Sequence, residues 1–570
     1  MTKLRPVAAS LLFLLSTLPI GIAASQTQEP AGTEASVQVQ APASEQARQL
    51  ALLLEPILLG ESDTVHNQVL GSIDLLSRFY QNRQFEPLWL DKDYARSVIS
   101  LLGDAAKEGL SPADYHVSAL NELYQKVSQS GWRGDDLFTL ELLLTDGVIT
   151  YGSHLLNGKV NPALVDRTWN YDEVSINFDT LARELDRHVK EQSLDKALES
   201  LTPQYQPYKE LKQHLQRMQT LADSEPFSVI PLDATIRKGA SASSLDEIAK
   251  RLSQLGYLDN IPAEQPLTLS GELFEAVKRF QAHHALKADG IIGKGTMAAM
   301  NVSFADRADQ IRINLERARW LSADLSPDFL IVNLAGYQLR LFKQNQLNWE
   351  TDIIIGKVSS KTPLFKSKLK YMVANPTWTV PRSISREIIW HLKKDPNYLE
   401  KKNFVLRTAS GAPANSHGID WQTVNPRSFP YWFVQQPSAN NALGQIKFIF
   451  PNAHSIYLHD TPSKSLFSQE DRAFSHGCIR VKDPLVLADK LMASAPNWTP
   501  DTLQRHLATG ETKQIFLNEP LDILIMYWTA ESRAGELYFY KDIYKRDDSL
   551  VKALKAPRTA RLYAANDNAQ

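Results

Sequence analysis

FLIVNLAGYQLRLFK, Phe329 to Lys343, is where the hydrophobic pattern of this chain changes period. Its apolar side chains alternate, a turn follows at Gln344-Asn345, and WETDIIIG returns, which predicts a β-hairpin. YMVANPTWTVP, IKFIFPN, SIYLHD and LDILIMYWTA continue the strand character, so residues 326–531 are expected to form a mainly β domain. Within it, residues 382–441 break the pattern. SREIIWHLKKDPNYLEKKN reads as helix and TASGAPANSHGIDWQ as loop, and an irregular insert of this length is either functional or disordered.

Upstream the period is helical. ARQLALLLEPILL, SIDLLSRFYQ, ARSVISLLGDAAKEGL and FTLELLLTDGVITYGSHLLNGKV place apolar residues three and four apart, and GLSPADY and GKVNP supply helix ends. Residues 45–222 are therefore expected to be a helical scaffold domain. His66, His116, His154 and His188 lie singly on it and read as surface or satisfied core histidines. Residues 226–301 carry a small three-helix module, and ADRADQIRINLERARWL forms a connecting helix within 302–325. Residues 532–570 are expected to be a tail, mobile from about Arg546. The fold class is thus multidomain α+β.

The N-terminus has Lys3 and Arg5 before LLFLLSTLPIGIAA, then small residues at Ala23 and Ala24, the layout of a secretory signal peptide over residues 1–24. Residues 25–44, rich in Pro, Ala, Gln, Ser and Glu, read as a disordered linker. The protein is expected to be exported, and tethered to the inner membrane if the leader is not cut. A net charge of −2 leaves no nucleic-acid footprint, and 43% hydrophobic residues suit a globular protein.

Export sharpens the meaning of SHGCIR, Ser475 to Arg480, which holds the single cysteine of 570 residues. A lone thiol in an oxidising compartment is a liability unless it is buried or used. A nucleophilic cysteine needs a base and donors for the oxyanion it creates. Gly477 lets the backbone approach a substrate, His459 ends a short alternating strand, His476 lies two residues from the thiol, and Arg480 adds a charge favouring thiolate and anionic substrate. From these residues alone, a reactive Cys478 and an inert one buried among Phe474, Ile479 and Val481 both stand.

Two resemblances extend the reading. Ile236-Arg237-Lys238-Gly239, Gly256-Tyr257-Leu258, Ala276 to Gln281 and Asp289 to Thr296 resemble the signature of the peptidoglycan-binding domain family, with one extra residue before the threonine. That implies proximity to cell-wall glycan or stem peptide. His459 followed, after fifteen residues, by Ser475-His476-Gly477-Cys478-Ile479-Arg480 resembles the active-site signature of L,D-transpeptidases with a YkuD-type catalytic domain. Asn375 to Pro381 and Ile456 to Pro462 resemble the large multidomain members of Gram-negative envelopes. The family implies that Cys478 attacks the third stem-peptide residue, a diamino acid, expels the terminal D-alanine of a tetrapeptide, and passes the acyl group to another stem's side-chain amine. His459 is then general base and acid, oriented by the backbone carbonyl of Asp460, a position where smaller members often carry Gly or Ser. The N–H groups of Gly477 and Cys478 are the expected oxyanion donors, with His476 a secondary contributor. Arg480 is expected to anchor a carboxylate or to form an ion pair within the domain. Trp378, Tyr457 and Ser475 are placed in the substrate cleft, and the insert is expected to cap it. The resemblance also implies roles in cell wall biogenesis and cell shape, a periplasmic location, wall-synthesis enzymes as partners, and capture by carbapenems.

Other chemistries fit less well. Ser367 to Lys370 and Ser549 to Lys552 match the S-x-x-K of penicillin-binding serine enzymes, but the K-T-G element is missing. A papain-like protease lacks its local signatures. Zinc among His454, His459, His476 and Cys478 lacks a second cysteine or an H-x-x-x-H pair, so neither metal nor cofactor is expected. Within the resemblance, water as acceptor gives an L,D-carboxypeptidase, a free D-amino acid gives exchange, and a lipoprotein lysine gives wall attachment. An idle, wall-binding scaffold is the non-enzymatic alternative.

Overall fold

The computed structural model describes residues 44–557 apart from 167–168, 170–177, 225, 264, 322–325, 494 and 496–497. The expected leader, the linker up to residue 43, the last residues of the connecting helix and the C-terminal end beyond 557 lie outside the described residues.

The scaffold opens with α1 (Glu45–Leu58), whose N-cap Ser44 accepts from the Ala47 N–H. A small hairpin of β1 (Thr64–Val65) and β2 (Gln68–Val69) follows. Then come α2 (Ile73–Asn82), α3 (Lys92–Gly103), α4 (Val117–Gln129) and α5 (Asp135–Asn157). The last of these runs through the domain's centre with most of its residues buried. Two carboxylates on it receive backbone N–H groups of neighbouring loops. Glu141 accepts from Leu88 and Trp89, and Asp146 from Gly71 and Ser72. These bonds satisfy donors that burial would otherwise leave costly. His116 pairs with Asp146 at 2.8 Å and His154 Nδ1 with the Tyr115 hydroxyl at 2.9 Å, and both are buried core residues. Helices α6 (Pro162–Val165), α7 (Phe178–Lys190), α8 (Leu194–Leu201) and α9 (Gln206–Ser224) complete the region.

The three-helix module is built from α10 (Leu245–Gln254), α11 (Gly271–His283) and α12 (Lys294–Met300) around Leu245, Ile248, Leu273, Val277, Phe280 and Ile292. Its motif residues hold the turn. Gln281 accepts from the Gly290 N–H at 2.7 Å and donates to the Ile291 carbonyl and Thr296 hydroxyl. Gly290 has φ +72°, and a Cβ there would lie 2.2 Å from the Phe274 ring, so only glycine fits.

Helix α13 (Phe304–Arg319) is more than a connector, because most of its side chains are buried between the other parts. Leu315 and Ile311 pack with α9 and with Ala530, Leu537 and Phe539. Glu316 accepts from the Val160 N–H of the scaffold.

The β domain contains a nine-stranded sheet among the described residues. The stretch expected as one alternating strand is two, β3 (Phe329–Asn333) and β4 (Gln338–Lys343), because the chain reverses at Leu334–Tyr337. The next reversal is at Gln344-Asn345 as expected, with φ +49° and +60°, the twist that joins antiparallel strands tightly. It leads into β5 (Gln346–Gly356), followed by β6 (Phe365–Ala374). After the insert, β11 (Ile446–Ile449), β12 (Leu458–His459), β13 (Ala473–Ser475), β14 (Ile479–Val481) and β15 (Lys513–Met526) complete the order β13-β5-β14-β12-β11-β6-β15-β3-β4, with β4 also paired to β5.

Two expectations are corrected. The insert is not irregular: β7 (Trp378–Thr379), β8 (Phe404–Arg407), β9 (Pro413–Ala414) and β10 (Trp432–Gln435) form a separate sheet in the order β7-β10-β8-β9. Helix α14 (Arg382–Lys394) packs on it through Ile388, Ile389 and Leu392 against Phe404, Trp421 and Phe433. Nor is the region after 531 a mobile tail as far as residue 557. It forms the hairpin β16 (Ala530–Arg533) and β17 (Glu536–Phe539), buries Tyr540 and Tyr544, and ends in a helix, Asp547–Lys555, docked on α13. The apolar spacing Leu550/Leu554 carries that docking.

Candidate active site

Strand register assembles the site. β12 pairs antiparallel to β11 with Lys447 opposite His459, and parallel to β14 with His459 opposite Arg480. Directly paired residues project to the same face of a sheet, so Lys447, His459 and Arg480 form one row, and Cys478 enters β14 just before it. The single-turn loop between β13 and β14 is held from both sides. The Ser475 hydroxyl donates to the Cys478 carbonyl at 2.5 Å and accepts from the Gly477 N–H at 3.1 Å. The Thr362 hydroxyl donates to the Gly477 carbonyl at 2.8 Å. Gly477 itself has φ +123°, a conformation that disfavours any side chain. Both carbonyls are tied back, and the Cys478 N–H meets no acceptor among the described residues.

Two expected site residues are engaged within the loop. The Gly477 N–H is bonded to the Ser475 hydroxyl, which leaves the Cys478 N–H as the unbonded donor here among the described residues. Ser475 is buried with its hydroxyl engaged twice inside the loop.

His459 is buried, and its Nδ1 donates to the Asp460 backbone carbonyl at 2.5 Å. That bond selects the tautomer with a free Nε2. The Asp460 carboxylate faces elsewhere, accepting from the Gln445 N–H at 2.8 Å and from Lys464 at 2.6 Å. The Cys478 thiol is partly exposed and points to the Ser455 carbonyl at 3.7 Å, with no hydrogen bond to His459. Ser455 holds φ +56°, in a loop pinned by Asn452, whose side chain bonds four backbone groups of residues 450–456. Tyr457 stacks edge-on to His459, ring centroids 5.7 Å apart, and burial together with the Cys478 charge pushes its phenol upward. Trp378 sits on β7 against the core of the insert and acts on the same phenol, so both expected cleft aromatics gather beside Cys478. His476 is exposed, and its Nε2 lies 2.9 Å from Glu387 on α14 and 3.1 Å from Lys357. It thereby ties the insert to the cysteine loop.

Comparison with known proteins matches the architecture part by part. Residues 74–215 fit the family described as "Scaffold domain", 241–300 "Putative peptidoglycan binding domain", and 327–502 "L,D-transpeptidase catalytic domain". The match to the L,D-transpeptidase catalytic domain family falls on the β domain that holds Cys478 and His459. Over 242 residues it is 34% identical to a "Putative L,D-transpeptidase" of Haemophilus influenzae, a match covering 42% of this chain. The chain spans about half, 48%, of that relative's length. A solved L,D-transpeptidase from Xylanimonas cellulosilytica aligns over 53% of this chain and all of that one at 13% identity, with a TM-score of 0.17, too low to carry weight.

The electrostatics of the site follow from burial. Desolvation first, then Arg480, pushes His459 down to about 3, although its bond to Asp460 opposes this. Desolvation pushes the Cys478 thiol up against the contrary pull of Tyr457, Arg480 and Lys447. Burial lowers both Lys447 and Arg480, and the opposing charge acting on each is that of Cys478. Among the described residues neither cation forms an ion pair, and the Arg480 Nε is buried without a hydrogen-bond partner. The alternative of an intradomain ion pair for Arg480 finds no carboxylate partner among the described residues. Lys447 was missed in the sequence, although a lysine inside IKFIF is a visible exception in an apolar strand. Thr362, Ser455 and Tyr544 carried no signal at all.

Proposed function

We propose that this protein is a peptidoglycan L,D-transpeptidase of the cell envelope, with Cys478 as nucleophile and His459 as its base. The observation that carries this reading is the His459 ring, fixed by Asp460 with Nε2 free, two register positions from a cysteine whose own N–H meets no acceptor among the described residues. A neutral imidazole beside a protonated thiol is a general-base pair, so proton transfer accompanies attack.

In the first half-reaction the thiol turns from the Ser455 carbonyl to His459 Nε2. Sγ attacks the carbonyl of the third residue of a tetrapeptide stem, and the oxyanion faces the Cys478 N–H. The C–N bond breaks, His459 returns the proton to the departing amine of D-alanine, and a thioester remains. In the second half-reaction the side-chain amine of another stem's diamino acid attacks the thioester. His459 takes its proton and the thiol leaves, giving a direct link between third residues. Tyr457 and Trp378 wall the donor cleft, the insert covers it, and Arg480 faces substrate carboxylate. The three-helix module keeps the enzyme near the wall polymer, and the N-terminal leader places it in the periplasm.

Mass analysis of muropeptides after incubation with disaccharide-tetrapeptides tests this. The expected product is a dimer lacking one terminal D-alanine, abolished in Cys478→Ala. Tripeptide alone would replace the reading with an L,D-carboxypeptidase, and no change would leave lipoprotein attachment or a wall-binding scaffold.

A further inference from the structure

Lys447 and Arg480 flank His459 in one cross-strand row, and neither meets an acidic side chain among the described residues. The carboxylate of Asp460, next to His459 in the chain, is turned away to Gln445 and Lys464. The Lys447 ammonium lies over the Tyr457 ring, 5.8 Å from its centroid. Two partly buried cations without a counter-ion cost free energy unless an anion completes the site. That site opens beside the sulfur on which the acyl group would sit, so its anion arrives with the substrate.

Resting on the proposed function, we infer that Lys447 and Arg480 hold the carboxylate of the amino acid whose amine departs, and that the same seat selects the incoming acyl acceptor. The second half follows from microscopic reversibility. Acylation breaks the C–N bond, forms C–S and leaves the proton on the departing amine. Exchange with a free amino acid is the reverse: its nitrogen attacks the thioester, C–N forms, C–S breaks, and His459 passes the amine proton to the sulfur. The attacking nitrogen must occupy the position that the leaving nitrogen vacated. An acceptor whose amine sits beside a carboxylate places that carboxylate between the two cations, and a carboxamide in the same position loses the charge-assisted bonds. Lys447 is thus a specificity residue for α-amino carboxylates as acceptors, in the donor's leaving group and in the incoming amine alike.

The test is exchange by the full chain between disaccharide-tetrapeptide and D-methionine or D-methioninamide, with the Cys478 thioester followed by intact mass. Wild type should favour the acid over the amide in kcat/KM by about 10- to 100-fold, the range of a charge-assisted bond. Lys447→Gln should bring that ratio close to one, mainly through a higher KM for the acid, and Lys447→Arg should restore it. A structural role for Lys447 would lower both acceptors alike and overturn the inference. So would a wild type that uses acid and amide equally while still forming the thioester, which would leave the proposed function standing. A wild type with no thioester would remove both.

Discussion

At the residue scale, burial sets the protonation of the reacting pair before substrate arrives. His459 is held near 3 and the Cys478 thiol above its ordinary value of 9.0, so the resting site is uncharged except for Lys447 and Arg480. The iodoacetamide alkylation rate of Cys478 should climb with pH through neutrality and reach half its maximum above pH 9. A plateau near pH 7 would show a preformed thiolate and refute the general-base reading. His459 also makes a stability statement. Its folded value lies below the ordinary 6.5, so between pH 6.5 and about 3 the unfolded chain binds a proton that the folded one refuses. Stability therefore falls as pH drops through that window and is relieved of this penalty above it. Urea denaturation at pH 4.5 and 7.5 should show a smaller pH effect in His459→Gln than in wild type.

At the element scale, the cysteine loop is positioned by a segment far from it in the chain. The Tyr544 hydroxyl donates to the Gly356 carbonyl at 2.5 Å and accepts from the Thr362 N–H, while Thr362 bonds the Gly477 carbonyl. Gly356 passes close under the loop, since a Cβ on it would lie 3.1 Å from the Gly477 Cα. The C-terminal segment thus fixes the β5–loop–β14 geometry from behind. Tyr544→Phe keeps the ring packing and leaves two buried backbone groups unsatisfied. It should cost about 1–3 kcal/mol, read as a lower urea midpoint together with slower thioester formation.

At the scale of the whole molecule, α13 joins the parts through charge as well as packing. Arg319 is buried between Glu316 at 3.1 Å and Glu108 of the scaffold, whose backbone carbonyl it also bonds. Arg317 pairs with Asp547 of the C-terminal helix at 2.8 Å. Removing one member of such a buried set strands the others. Arg319→Ala should destabilise the junction by about 3–5 kcal/mol, seen in calorimetry as the scaffold melting apart from the β domain. A single unshifted transition would show that packing alone joins them.

Helical and β periods, turn residues and the His459 to Cys478 signature were legible in the sequence because each depends on contacts within a few residues or on one local motif. They determined the multidomain α+β class, the helical scaffold, the three-helix module and the cysteine at the centre. Tertiary structure alone decided which partners meet there. Lys447, His459 and Arg480 lie far apart in the chain, and only the register of β11, β12 and β14 makes them a row. Likewise only the loop's fold shows that the Gly477 N–H is taken and that the Cys478 N–H meets no acceptor among the described residues. The sheet of the insert and the ordered segment after 531 were unreadable for the same reason: their short strands and polar stretches gain order from long-range packing, which no local pattern encodes.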